Sequence, residues 1–346
     1  MTRAAIWLLS AGLLLFLGVL LSQGLPAVVS TLALAGWGLL GVALFHLAPL
    51  VLDAAAIRVL FIRSGRGGSA AGSFLDALLA RWAGESVNSL LPAGQIGGPV
   101  LMVRHLAQRG LSTPDAAAAI TVSTTFQTLA QIVFAVVGVA LLGAHAGHAG
   151  HASLPSLRTP LIVAGSVLAL LLGLFYLMQR RGLFGRLMRL ASRLSGKRDW
   201  SQWLNQAQAI DVTVQQLYGH IGRVLASFGL SLIGWLVGTG EVYFALSMMG
   251  HPVGWGDALL LESLGQAIRG AAFAIPGSLG VQEGGYLLLA PLVGLPPDVA
   301  LALSLAKRAR EMVLGLPGLV YLHLCERGWR RRHAQIPPAS PIPISD

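Results

Sequence analysis

Ile275-Pro276-Gly277-Ser278-Leu279-Gly280-Val281-Gln282-Glu283-Gly284-Gly285 interrupts an otherwise apolar segment, Asp257–Leu292. Proline removes a helix donor, and repeated glycine favours irregular backbone, so no helix runs through it. Irregular backbone at membrane depth persists only when buried in protein or lining a wet cavity. A second segment, Phe74–Gln108, is broken in the same way by Leu91-Pro92-Ala93-Gly94-Gln95-Ile96-Gly97-Gly98-Pro99. Its first arm carries Asp76, Arg81, Glu85 and Asn88, and the other segment's carries Glu262, Gln266 and Arg269. Both arms are short and polar for a full crossing, so each segment is expected to be a re-entrant helical hairpin. Its breakers are Pro92, Gly94, Gly97 and Gly98 in the first, and Pro276, Gly277 and Gly280 in the second. A pair of full transmembrane hairpins with Pro-Gly turns is the other reading.

Around these segments the chain has the composition of a membrane protein. Of 346 residues, 55% are hydrophobic and only 11% charged, against about 25% charged in soluble domains. The mean hydropathy is +0.70. Six stretches have the length of a span: Ala4–Leu21, Thr31–Leu52, Ala116–Leu142, Pro160–Met178, Val224–Met249 and Val299–Leu324. The first is too long for a signal-peptide core and lacks a clear cleavage site, so a retained helix is expected. A lone cysteine, Cys325, excludes an internal disulfide.

Arg3, Arg58, Arg63, Arg66, Arg104, Arg109, the 179–223 loop and the Arg327–Arg332 tail fall on one side. The opposite loops hold only Arg158. The positive-inside rule then places both termini in the cytoplasm of a bacterial inner membrane. The net charge of +10 becomes an orientation signal, and no nucleic-acid partner is expected. Segments 180–195 and Trp200–Ile221 read as helices lying on anionic lipid. His145, His148 and His151 recur in an outer loop, but without a carboxylate they make a weak metal set. No metal or cofactor is expected. Residues 334–346 are Pro-rich and expected to be disordered.

The two halves, about 1–143 and 159–326, repeat within one transmembrane domain, 1–333. Gly110-Leu111-Ser112-Thr113-Pro114-Asp115 before one helix matches Gly294-Leu295-Pro296-Pro297-Asp298 before another. Pro92 and Pro276 align with nearly the same offset. Each half reads span, span, hairpin, span, and three crossings invert the second half relative to the first. The fold class is therefore an all-α polytopic membrane protein. It has about six transmembrane helices and two re-entrant hairpins in an inverted repeat, a design common in secondary transporters.

Five basic residues lie inside membrane-embedded sequence: Arg81, Arg269, Lys307, Arg308 and Arg310. Each would cost about 2.5–3.5 kcal/mol at the bilayer centre. Two readings stand: internal ion pairs, or a polar cavity holding a headgroup on Arg269, Lys307, Arg308 and Arg310. In the second, Glu283, Glu311 and Glu85 would order the cations or couple protons, and Asn88 and Gln95 would add polar contacts. Glu241 is a further proton-coupling or pairing candidate. The first-half counterparts of Lys307–Glu311 are Thr124, Gln127 and Thr128, which are polar but uncharged.

Residues 84–106 and 275–318 resemble the flippase-like transmembrane family of lysylphosphatidylglycerol synthases. The resemblance rests on Pro276, Gly277, Leu279, Gly280, Val281 and Glu283. Ser278 stands where the family usually has glycine. The 84–106 string is closest to the hopanoid-biosynthesis-associated branch. The resemblance implies lipid transport between leaflets, with hopanoid, another polar isoprenoid lipid or phospholipid as partner and lipid-synthesis enzymes as further partners. The synthases' soluble aminoacyl transferase domain has no counterpart here, so their enzymatic activity is not expected. A lipid-headgroup-modifying enzyme and a non-catalytic partner of lipid-synthesis enzymes are the alternatives.

Overall fold

The computed structural model describes residues 29–30, 33–34, 36–61, 72–91, 97–149, 166, 170, 173–194, 200–272, 275 and 278–334. Among them there are helices and no strand. The helices include α1 (Gly38–Phe45), α2 (Leu47–Arg58), α3 (Phe74–Leu90), α4 (Gly97–Gln108), α5 (Thr113–Ala149) and α6 (Leu183–Leu194). They continue with α7 (Ser201–Gly219), α8 (Ile221–Met248), α9 (Trp255–Ala271), α10 (Val281–Leu289) and α11 (Pro297–Ala334). The expected spans Ala4–Leu21 and most of Pro160–Met178 lie outside the described residues. So do residues 335–346 and breakers Pro92, Gly94, Pro276 and Gly277.

Three helical stretches are long and apolar enough to cross a membrane: Gly38–Arg58, Thr113–Leu142 and Ile221–Met248. The last helix, α11, is long enough, but Lys307, Arg308, Arg310 and Glu311 interrupt its apolar run. One boundary needs correction. The second span does not end at Leu52; the helix continues to Arg58 and carries Asp53 within it. It is instead broken at His46, where Pro49 supplies no N–H to the preceding turn.

Both interrupted segments form a helix, a break and a second helix, α3–α4 and α9–α10. Ser73 and Asp76 form a reciprocal capping box at the start of α3, satisfying two orphan N–H groups. The helix pairings repeat across the halves. In the first, α3 packs on α4 and α4 on α5; in the second, α9 packs on α10 and α10 on α11. The halves also exchange partners, with α3 against α11 and α9 against α5, while α2 packs on α8. Small residues mark both exchanged contacts. Gly138 on α5 meets Ser263 on α9, and Gly318 on α11 meets Ser86 on α3. Close backbone approach through such residues is how helices pack tightly where lipid offers no hydrophobic drive.

Two apolar cores result. One gathers Ile57, Leu60, Ala77, Leu106, Ile120, Val214 and Leu217. The other gathers Val42, Val242, Leu260, Leu264, Tyr286, Leu289 and Leu301. On the α1–α2 stretch, His46 and Asp53 lie between Val42 of one core and Ile57 of the other.

The loop helices are tied to this frame. Gln179 is buried between the Thr125 hydroxyl at 2.9 Å and the Tyr218 hydroxyl at 2.5 Å. The Asp211 carboxylate accepts the Phe184 and Gly185 N–H groups at 3.0 and 2.7 Å. It thereby caps α6, a short basic helix with Leu187 and Leu190 exposed.

Candidate functional site

The charges embedded in the helices meet one another. On α11, Lys307 donates to Glu262 at 2.6 Å and stands 3.7 Å from Glu241. Arg310, one helical turn on, donates to Glu241 at 2.9 Å. Arg269 donates to Glu311 at 2.5 Å and to Gln282 at 3.3 Å. Arg308 leaves that face and donates to Glu283 at 3.1 Å and to the Ser278 carbonyl at 3.3 Å. In the first half, Arg81 and Gln127 both donate to Asp53, at 2.6 and 2.7 Å. Arg81 is also 3.8 Å from Glu85.

His46 joins the two halves. Its Nε2 is 2.8 Å from Glu85 on α3, and its Nδ1 is 2.9 Å from Glu241 on α8. The Arg310 guanidinium contacts the same ring. The connected set holds five permanent cations, Arg81, Arg269, Lys307, Arg308 and Arg310. Against them stand six carboxylates: Asp53, Glu85, Glu241, Glu262, Glu283 and Glu311. Protonated His46 brings the count into balance. Two polar atoms beside it, Glu241 Oε1 and Arg310 Nε, are buried without a hydrogen-bond partner. Such orphans are uncommon in native structures and mark strain or an exchangeable water or proton.

A narrow cleft, with about 20 Å³ of space open to water, reaches this network. His46, Glu85, Arg310 and Glu311 supply its charged lining, Ser86 and Ser89 add hydroxyls, and Leu50, Trp82 and Leu314 are apolar. Its most exposed charged group is Glu85, whose side chain is 28% accessible. A second, smaller cleft borders Asp53 and Arg81 with Ser123, Thr124 and Gln127 from α5.

The candidates read from the sequence divide accordingly. Arg269, Lys307, Arg308, Arg310, Glu311 and Glu85 come together in the network, and each is ion-paired within the protein. Glu283 is almost inaccessible. Besides Arg308 it accepts the Gly280 N–H at 2.8 Å and the Ser304 hydroxyl at 3.0 Å, so it closes the break before α10. Asn88 does the same in the first half, accepting the Gly98 N–H at 2.8 Å. Gln95 lies outside the described residues. Among breakers, Gly97 and Gly98 open α4, and Gly280 adopts φ +77° before α10. Ser278 has φ +50°. That is left-handed backbone, which favours glycine.

Sequence reading passed over His46, Asp53 and Glu262 as members of the site. The signal was present, because any ionisable residue within a span is a functional-site candidate. Asp53 was hidden because the expected span stopped at Leu52, one residue before it, although the helix runs on to Arg58. The histidine run falls where no side chains are described. Among the described residues, no group of three or more His, Cys, Asp or Glu side chains is arranged to hold a metal.

The family described as Lysylphosphatidylglycerol synthase TM region matches residues 5–318. No curated protein and no solved structure matches the chain.

Proposed function

The chain belongs to the Lysylphosphatidylglycerol synthase TM region family, and from that premise we propose that it transports lipid headgroups across a bacterial inner membrane. One observation carries this reading. The larger cleft combines a charged floor with apolar walls and two serines, which suits an amphiphile whose head enters while its tail remains in lipid. A polar isoprenoid lipid, hopanoid-related in the first instance, is the proposed cargo, on the resemblance of residues 84–106.

In this proposal α3–α4 and α9–α10 are the re-entrant hairpins of an inverted repeat, and both termini are cytoplasmic. The exchanged packing, α3 on α11 and α9 on α5, supports it, because a pseudo-two-fold axis makes such contacts reciprocal. Transport would proceed by rocking one half against the other about the α2–α8 contact. The embedded cations then serve differently from the sequence expectation. Arg269, Lys307 and Arg308 tie α8, α9, α10 and α11 of the second half together, while Arg310 is the one embedded cation that lines the cleft, with His46, Glu85 and Glu311, where a headgroup would sit.

The test is reconstitution into liposomes carrying a phospholipid or hopanoid with a headgroup fluorophore, followed by quenching of the outer leaflet. Wild type should speed leaflet exchange well above protein-free liposomes. Ser89→Trp, which fills the cleft without touching an ion pair, should bring it back to that baseline. Equal exchange in both proteins would overturn the reading.

A further inference from the structure

We infer that His46 is a proton-binding switch whose occupancy sets the charge of the buried network and the closure of the larger cleft. Its use in driving transport rests on the proposed function, but its geometry does not. His46 sits at the helix break made by Pro49, half on α1 and half on α2. Every element packed around it presents charge. Glu85, with Arg81 behind it, comes from α3; Glu241 from α8; Arg310 and Glu311 from α11; and Asp53 follows on α2 itself.

With a proton on each ring nitrogen, the imidazolium donates to Glu85 through Nε2 and to Glu241 through Nδ1. The six carboxylates then face six cations. The proton ties α3 of the first half to α8 of the second. Loss of one proton to cleft water leaves a neutral imidazole with a single N–H. Nδ1 becomes an acceptor for the Arg310 guanidinium, which already lies against it. Glu241 loses the histidine bond, and its Oε1 already has no hydrogen-bond partner.

The network then carries one uncompensated negative charge. A buried charge without a partner draws in water or moves toward it. Its outlet is the cleft, through Glu85, the most exposed carboxylate of the set. Protonation therefore closes the cleft and deprotonation hydrates and opens it. Histidine is the side chain whose ordinary range makes this exchange available near neutral pH.

The experiment reads cleft accessibility and needs no substrate. In the full chain with Cys325→Ser, in liposomes, Ser89→Cys is labelled with a maleimide from about pH 5 to about pH 9. The rate is divided by that of exposed Gln202→Cys, which removes the thiol's own titration. The ratio should rise severalfold from the acidic to the alkaline end. Adding His46→Gln should hold it at the high value throughout. Adding Glu85→Gln as well restores five carboxylates to five cations and should return the ratio to the low value at every pH. A flat ratio with His46 intact overturns the inference, whether or not His46→Gln folds. So does a double variant as open as His46→Gln alone. If the ratio switches but no fluorescent lipid changes leaflet, the transport reading fails and the switch stands. Lipid exchange with a flat ratio has the reverse meaning.

Discussion

Glu241 has three cationic neighbours drawn from two elements. Lys307, Arg310 and His46 all face it, and it is among the least accessible residues in the chain. Removing one partner of a buried pair leaves the other uncompensated, at about 3–5 kcal/mol. Glu241→Gln should therefore lower the melting temperature of the detergent-solubilised protein sharply. Glu85→Gln, at a wetter position, should lower it far less. Equal losses would show that burial does not grade the network. Ser278 sits at φ +50°, and left-handed backbone costs a non-glycine residue about 1–2 kcal/mol. Ser278→Gly relieves that strain and adds unfolded-chain entropy, so its melting temperature should match or slightly exceed wild type. The place of Ser278 inside a Pro-Gly breaker string was legible in sequence. Its left-handed backbone was not, because φ is set by the turn that Gly280 and Glu283 close.

α6 and α11 show how single contacts hold an element in place. α6 alternates basic and apolar residues, and sequence alone predicted a helix on the lipid surface. What anchors it is Asp211, from the next helix, bonded to two of its first N–H groups. Losing such a cap costs about 1 kcal/mol. In Asp211→Ala, trypsin should cut sooner at Arg186, Arg189 and Arg193, with the rest of the chain still resistant. In α11, Pro317 weakens the preceding turn, and the Trp82 indole donates to the Leu314 carbonyl there at 2.9 Å. Gly315 and Gly318 let α3 approach, since a Cβ on Gly315 would meet Leu90 at 2.7 Å. Trp82→Phe removes the donor and should cost about 1–2 kcal/mol in thermal stability. The proline and glycines were visible in the sequence, but their partner helix was not, because α3 lies more than 200 residues away.

At the scale of the whole molecule, the exchange of helices between halves makes a paired prediction. The Cβ atoms of Gly318 and Ser86 would lie 3.0 Å apart, and those of Gly138 and Ser263 2.9 Å. A small outward shift brings each to the roughly 3.5–4.5 Å a disulfide spans. With Cys325→Ser, the pairs Ser86→Cys/Gly318→Cys and Gly138→Cys/Ser263→Cys should each form an internal cross-link on mild oxidation, seen as a redox-dependent gel shift. Cross-linking of one pair alone would break the reciprocity. The sequence by itself determined the membrane character, the all-helical class, both breaks and the presence of charge where lipid excludes it. These are local properties, carried by apolar run length, by proline and glycine, and by residue type. The tertiary structure alone decided which charges meet. Arg310 and His46 are 264 residues apart and His46 and Glu241 are 195 apart, and no periodicity of 3.6 records such a pairing. It also moved the centre of the site from the cations of α11 to a histidine at a helix break. Neutrality is a property of the assembled cluster, and only His46 can add or remove its last charge near neutral pH.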